Sequence, residues 1–64
     1  MRIAVKTLDI GTYYLNFDLI VEFFFIKKNK GHFILSYTST TSTDYEIIKI
    51  SEEEKNKILN KLGL

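Results

Sequence analysis

A run of alternating side chains in the first half of the chain constrains the fold more than any other feature of the sequence. All odd positions from Tyr13 to Phe25 are apolar or aromatic, whereas the even positions begin polar and end apolar. Successive side chains of a β-strand point to opposite faces, so this period of two predicts a strand. At about 3.3 Å per residue, residues 13–26 would extend roughly 46 Å. Because that is too long for a flat strand in a small domain, we expect a bend or bulge near residues 16–18.

Three shorter strands complete the predicted sheet. They cover residues 2–9, 32–40 and 45–50, with connecting turns at residues 10–12, 27–31 and 41–44. The turn at residues 29–31 fits a three-residue hairpin loop with Gly31 in the left-handed conformation.

The register of this hairpin follows from its apolar side chains. If Lys28 pairs with His32, then Phe25 faces Leu35 across the two strands, so apolar side chains meet on one side of the sheet. The same register makes Phe23 face Tyr37.

The C-terminal segment has the features of a helix. Ser51 followed by Glu54 is a capping box, and residues 52–54 place three acidic side chains in the first turn. Gly63 is typical of a helix end. The sequence therefore predicts a single α+β domain over residues 1–64. It is a small antiparallel four-stranded meander (β-β-β-β-α) with one C-terminal helix packed on part of one sheet face.

The chain has few means of stabilising so small a core. It has 64 residues and contains no cysteine, so disulfides, cysteine-liganded zinc and thiol catalysis are excluded. His32 is the only histidine, and a metal site would need carboxylates from distant segments. We therefore expect no metal and no cofactor. Small chains without these aids are often stabilised by oligomerisation.

The predicted sheet has two apolar faces, and one short helix cannot cover both. The predicted core face contains Ile3, Val5, Leu15, Phe17, Leu19, Val21, Phe23, Phe25, Phe33, Leu35 and Tyr37. The predicted interface on the other face contains Phe24, Ile26, Ile34, Ile48 and Ile50. An exposed apolar patch of this kind favours a homo-oligomer. The alternative is a tightly curled sheet that closes on itself as a small barrel.

One basic cluster suggests a ligand site. The hairpin turn carries Lys27, Lys28 and Lys30, and His32 follows directly. Together with Tyr37 and Thr38 on the next strand, these residues form a candidate site for a nucleotide-like anion at a junction between subunits. The alternative is that a lysine-rich turn keeps the hairpin soluble and discourages edge pairing.

Catalysis and nucleic-acid binding receive less support. Asp18 and Glu22 lie four positions apart on one strand, roughly 13 Å at about 3.3 Å per residue, so they cannot act as a pair. His32 lies beside an exposed turn, and we expect no enzymatic activity. The formal net charge is only +1, and most aromatic residues lie on the predicted core side. A weak nucleic-acid-binding module therefore remains only a third alternative.

These observations lead to one expected function and one main alternative. We expect a small non-enzymatic interaction protein that acts as an oligomer in the cytoplasm and does not span a membrane. Its size and its isoleucine-, lysine- and asparagine-rich composition suit a viral or phage accessory protein that inhibits a host factor. The main alternative is an oligomer that sequesters a nucleotide-like anion at its subunit junctions.

Overall fold

The computed structural model describes all 64 residues and contains five antiparallel strands and one α-helix. The strands are β1 (Arg2–Lys6), β2 (Thr12–Asn16), β3 (Ile20–Lys27), β4 (His32–Ser39) and β5 (Ser42–Ser51), and the helix is α1 (Glu52–Lys61). β1 and β2 form one hairpin, whereas β3, β4 and β5 form a three-stranded sheet in that order. The predicted α+β class with a C-terminal helix is confirmed. Helix α1 is neither long nor apolar enough to cross a membrane.

The long predicted strand is divided into β2 and β3, which explains why there are five strands rather than four. The Asn16 side chain accepts a hydrogen bond from the Asp18 backbone N–H at 3.1 Å. The Leu19 N–H donates to the Asn16 carbonyl at 3.0 Å, which closes a turn. Asparagine favours such turns because its side chain can bond the backbone two residues on. The bend therefore falls near the predicted position, but it is sharp enough to place the two halves in different sheets.

The predicted register of the β3–β4 hairpin is confirmed. Phe25 pairs with Leu35 and Phe23 pairs with Tyr37. The Lys28 N–H donates to the His32 carbonyl at 2.7 Å, which closes the loop. Gly31 has the predicted left-handed backbone, with φ of 73°. Lys30 is also left-handed, with φ of 57°, a conformation that the sequence did not predict.

Strand β1 ends three residues earlier than predicted because Thr7 organises a loop. The Thr7 hydroxyl donates to the Gly11 carbonyl at 2.6 Å and accepts from the Ile10 N–H at 3.0 Å. The Thr7 N–H also donates to the Gly11 carbonyl at 2.8 Å. Residues 7–11 therefore form a compact loop. This loop contacts the edge of β5, where the Leu8 N–H donates to the Lys49 carbonyl at 2.9 Å.

The β4–β5 turn is shorter than predicted, and the pairing beyond it shows which side of β5 is buried. Ser39 pairs with Ser42, so the turn contains only residues 40 and 41. The register shifts between Tyr37 and Ser39, and beyond this irregularity Leu35 pairs with Ile48 and Phe33 pairs with Ile50. Even positions of β5 therefore share a face with odd positions of β4.

This register corrects part of the predicted interface. Ile48 and Ile50 were predicted on the exposed face, but they belong to the core, with 4% and 0% of their surface exposed. The irregular register between Ile20 and Glu22 changes the predicted core in a similar way. Leu19 and Val21 were predicted to be buried and are exposed, whereas Ile20 packs against the core.

The core lies between the three-stranded sheet on one side and the β1–β2 hairpin with α1 on the other. It is formed by Ile3 and Val5 of β1, Leu15 of β2, Phe33, Leu35 and Tyr37 of β4, Ile48 and Ile50 of β5, and Ile58 of α1. The hairpin and the helix together cover the inner face of the sheet, a task that the helix alone could not perform.

Hydrogen bonds at both ends fix helix α1 in place. The Ser51 hydroxyl accepts from the Glu54 N–H at 3.2 Å, as predicted for an N-cap. The Glu54 carboxylate does not complete the predicted capping box. It accepts instead from the Lys6 N–H at 3.1 Å and pairs with Lys57 at 3.1 Å, which ties the helix to β1. At the other end, Gly63 is left-handed and terminates the helix.

The assignment of β5 side chains to the two faces can be tested with a matched pair of variants. We expect Ile50→Ala to lower the free energy of unfolding by about 2–5 kcal/mol, because it leaves a cavity in the core. Ile47→Ala, on the opposite face of the same strand, should cost less than about 1 kcal/mol. The measurement is urea denaturation followed by circular dichroism at low protein concentration. Equal losses for the two variants would contradict the register.

Candidate functional site

One face of the three-stranded sheet is turned away from the core and is covered by no element of the chain. We call it the outer face. It contains Glu22, Phe24 and Ile26 of β3, Ile34, Ser36 and Thr38 of β4, and Tyr45, Ile47 and Lys49 of β5.

The outer face is mainly apolar and accessible to solvent. Phe24 and Ile26 expose 41% and 39% of their surface, and Tyr45 and Ile47 expose 54% and 60%. Ile34 is half-buried between the two edge strands. Single exposed apolar residues are ordinary, but a contiguous group of them on one flat surface marks a contact site.

The sequence predicted this surface only in part. Phe24, Ile26 and Ile34 lie on it as predicted, whereas Ile48 and Ile50 lie on the other side of the sheet. Tyr45 and Ile47 take their places and were missed. The alternation within β5 is as predicted, but its assignment to the two faces was wrong. Even the predicted turn at residues 41–44 pairs even positions of β5 with odd positions of β4, which places Ile48 and Ile50 on the core side and Tyr45 and Ile47 outside.

Two contacts hold the exposed aromatic side chains of the outer face in place. The rings of Phe24 and Tyr45 meet edge to face, with centroids 5.7 Å apart. The Tyr45 hydroxyl donates a hydrogen bond to the Glu22 carboxylate. This hydrogen bond, with a smaller effect of desolvation, raises the pKa of Tyr45 above its usual value. The Tyr45 side chain therefore reaches across β4, and these contacts order this part of the outer face within the single chain.

A cavity of about 260 Å³ adjoins the outer face at the end where the β3–β4 hairpin closes. Its walls combine basic and apolar side chains: Leu8, Lys28, His32, Phe33, Ile34 and Lys49. Ile34 and Lys49 belong to both the cavity and the outer face, so the two features form one continuous surface.

Backbone pairing brings the basic residues of the cavity together. The hydrogen bond that closes the hairpin places Lys28 beside His32, and the β4–β5 register places Lys49 opposite Ile34. Leu8 is held at the rim by its hydrogen bond to Lys49. The Lys49 ammonium lies 3.9 Å from the Asp9 carboxylate, and both side chains are about half exposed. The cavity can therefore offer two or three positive groups next to an apolar wall.

The predicted ligand residues do not all meet at this cavity. Lys28 and His32 line it, whereas Lys27 and Lys30 are exposed residues outside its walls. Tyr37 and Thr38 lie five and six positions along β4 from His32, roughly 17–20 Å away at about 3.3 Å per residue. They also point to opposite faces of the sheet.

Tyr37 is a core residue rather than a ligand-stacking one. Only 6% of its surface is exposed. Its burial raises the pKa of the Tyr37 hydroxyl far above the usual value of about 10, with further contributions from Tyr13 and the charge of Glu46. Thr38 is half-buried on the outer face and contributes to that surface instead.

Comparison of the chain with protein-family models, with curated proteins and with solved structures found no match.

The raised pKa of Tyr37 predicts how stability changes at high pH. Above about pH 10 the unfolded chain loses the Tyr37 proton, whereas the native state keeps it, so the free energy of unfolding falls as the pH rises. One such group contributes a slope of up to about 1.4 kcal/mol per pH unit. We expect Tyr37→Phe to make this decline shallower, as measured by urea denaturation between pH 8 and about 11.5.

The matched control is Tyr14→Phe, which removes the hydroxyl of a side chain that is 71% exposed. It should leave the alkaline decline unchanged. A decline of the same steepness in Tyr37→Phe and in the unmodified chain would contradict the buried position of the Tyr37 hydroxyl.

Proposed function

We propose that this chain is a non-enzymatic interaction protein that works as a self-associated oligomer through its outer face. The observation that supports the proposal most directly is the contiguous exposure of Phe24, Ile26, Tyr45 and Ile47 on that face. Covering these side chains removes apolar surface from water, which stabilises an association by about 25 cal/mol per Å². The aromatic residues among them are of the type that is enriched at protein interfaces.

The way the rest of the chain packs supports the proposal that the outer face is a contact surface. The inner face is fully used by the β1–β2 hairpin and α1, so nothing else in the chain is left to cover the outer face. The Phe24–Tyr45 and Tyr45–Glu22 contacts order the surface in advance. A preorganised surface loses less conformational entropy on binding.

A second copy of the chain is the partner that this surface fits best. The outer face carries one acidic residue, Glu22, and one basic residue, Lys49, at opposite corners. A two-fold contact requires a surface that is complementary to itself, and this distribution of charge meets that requirement.

The charged groups offer little support for catalysis. Glu22 is hydrogen-bonded to Tyr45, and Lys49 is at the far corner of the same face. His32 is exposed at the cavity wall. The most sheltered acid–base pair, Glu54 with Lys57 at 3.1 Å beside a second cavity, is engaged in joining α1 to β1 through the Lys6 N–H. General acid–base chemistry requires groups that are free to exchange a proton with a substrate.

The size of the outer face sets the expected affinity. Three strands about 4.8 Å apart and six residues long form a surface of roughly 15 by 20 Å, so association would bury well under about 1,200 Å² in total. Interfaces of that size are usually weak. We therefore expect dissociation constants in the micromolar range.

A substitution on the outer face tests the proposal. We expect Ile47→Asp to abolish assembly, because it places a charge on the apolar part of the outer face. Ile10→Asp is the matched control, since Ile10 is 67% exposed in the 7–11 loop, away from the outer face, and Ile47 is 60% exposed. Native mass spectrometry and sedimentation equilibrium should give multiples of 7.5 kDa for the unmodified chain and for Ile10→Asp.

Ile47→Thr provides a second variant that keeps a β-branched side chain and should weaken assembly without abolishing it. Circular dichroism establishes that each variant is folded. A monomeric unmodified chain at high micromolar concentration would overturn the proposal. So would an Ile47→Asp variant that assembles as well as Ile10→Asp.

Capture of a small anion is a second candidate function, supported by the composition of the cavity. Lys28, His32 and Lys49 lie around the same cavity as the apolar groups of Leu8, Phe33 and Ile34. Lysine binds phosphate as a point charge, and the apolar wall suits a planar base. Because the cavity adjoins the outer face, a ligand bound there would lie near the junction between two copies.

The cavity residues can be tested with inorganic phosphate and adenosine monophosphate as probes. We expect Lys28→Ala to weaken binding about tenfold relative to the unmodified chain, without changing the oligomeric state. Lys61→Ala, at the end of α1, is the control and should bind as the unmodified chain does. Affinities can be measured by NMR titration of the backbone amides. Binding that is equal in both variants, or absent from the unmodified chain, would contradict this second candidate.

A further inference from the structure

The outer face is a three-by-three grid of side chains, and its symmetry limits how a second copy can dock. Along β3, β4 and β5, one end row contains Glu22 and Thr38, which pair, and Tyr45, which is placed on this face by its contacts with Glu22 and Phe24. The middle row contains Phe24, Ser36 and Ile47, and the other end row contains Ile26, Ile34 and Lys49. Glu22 and Lys49 are therefore diagonal opposites. Tyr45 and Ile26 occupy the remaining corners.

Both charged corners have capacity for a further partner. Tyr45 donates to one oxygen of the Glu22 carboxylate, which leaves the other oxygen as an acceptor. Lys49 is 59% exposed, and its ammonium lies 3.9 Å from Asp9, a long distance for an ion pair. An ammonium has three donors, so a second carboxylate can be accommodated.

Two sheets that pack face to face as a symmetric dimer are related by a two-fold axis that lies in the plane of contact. An axis along the strands puts Glu22 over Tyr45 of the second copy, and an axis across the strands puts it over Ile26. Both arrangements leave Glu22 and Lys49 without an oppositely charged partner.

Axes at about 45° to the strands, close to the two diagonals, give strands that cross at about 90°, one of the two common packing angles for sheets. An axis along the diagonal through Glu22 and Lys49 places Glu22 over Glu22 of the second copy and Lys49 over its Lys49. Both contacts between like charges are repulsive. The diagonal through Ile26 and Tyr45 places Glu22 over Lys49 of the second copy, and this pair forms twice. Only this last arrangement is favoured by charge.

The same crossed arrangement also matches most of the uncharged positions. Phe24 lies over Ile34 of the second copy, and Ile26 and Tyr45 each lie over their own equivalent, so apolar and aromatic side chains meet. Ile47 lies over Thr38. Ser36 is at the centre and only 4% exposed, so the larger side chains around it make the contact.

We propose that two copies of this chain dock through their outer faces with strands crossed at about 90°, and that paired contacts between Glu22 and Lys49 determine this arrangement. The inference rests on the proposed function and specifies its partner and geometry. Glu22 and Lys49 then act as specificity-determining residues. The apolar positions supply most of the affinity.

Charge exchange tests the crossed arrangement. In Glu22→Lys and in Lys49→Glu, two complementary contacts become two repulsive ones, and we expect self-association to weaken by about tenfold or more. The double variant Glu22→Lys/Lys49→Glu should recover most of the affinity. An equimolar mixture of the two single variants should form a mixed dimer, because each copy then supplies the charges that the other lacks. Native mass spectrometry distinguishes mixed from uniform dimers by mass.

Matched controls reverse the same charges elsewhere on the sheet. Glu46→Lys alters β5 and Lys27→Glu alters β3. Glu46 pairs with Tyr37 and Lys27 pairs with Phe33, and both partners are core residues of β4, so neither altered position lies on the outer face. Both should associate as the unmodified chain does. Glu22→Gln keeps an acceptor for Tyr45, so it separates loss of charge from loss of that hydrogen bond.

The outcomes separate the crossed arrangement from the proposed function. Failure of the double variant and of the mixture to recover assembly would overturn the crossed arrangement. The crossed arrangement would also be overturned if the two single variants associated as strongly as their controls. That result is expected if two copies paired through the open edges of their β3 strands instead. In both cases an assembled unmodified chain that Ile47→Asp dissociates would leave the proposed function intact. A monomeric unmodified chain would overturn both proposals.

Discussion

The turn after Asn16 allows one continuous apolar segment to contribute to two sheets. The Asn16 side chain accepts a hydrogen bond from the Asp18 N–H, and the Asn16 carbonyl accepts one from the Leu19 N–H. Residues before the turn belong to the β1–β2 hairpin, which packs together with α1 over the inner face of the three-stranded sheet. Residues after the turn form β3, the first strand of that sheet. Without this turn, the β1–β2 hairpin could not place Ile3, Val5 and Leu15 in the core.

Covering the inner face in this way leaves the outer face uncovered. The helix and the hairpin are both used, and the strand register turns Ile48 and Ile50 inward and Tyr45 and Ile47 outward. The same register places Lys49 diagonally opposite Glu22 and beside the cavity at Lys28 and His32. Core formation, the exposed apolar surface and the distribution of charge on it therefore have a common origin in the pairing of β4 with β5.

Much of this architecture could be predicted from local patterns. The alternation of β3, the register of Phe25 with Leu35 and the Ser51 cap depend on neighbouring residues, which the sequence displays directly. The face presented by β5 was predicted wrongly although the turn allowed the correct assignment, because a turn of either two or four residues places even β5 positions opposite odd β4 positions, so Ile48 and Ile50 share a face with Leu35. The cavity could not be predicted, since Leu8 and Lys49 reach it only through a contact between the first loop and the last strand.

The central claim is that the outer face, and no other surface, makes the contact between copies. The most direct measurement is the NMR spectrum of the isoleucine methyl groups over a dilution series. The account predicts that the signals of Ile26, Ile34 and Ile47 shift with concentration. Those of Ile3, Ile50 and Ile58, which are fully buried, should stay constant. Unchanged signals from the outer face across the series would contradict the account, as would equal shifts from both groups.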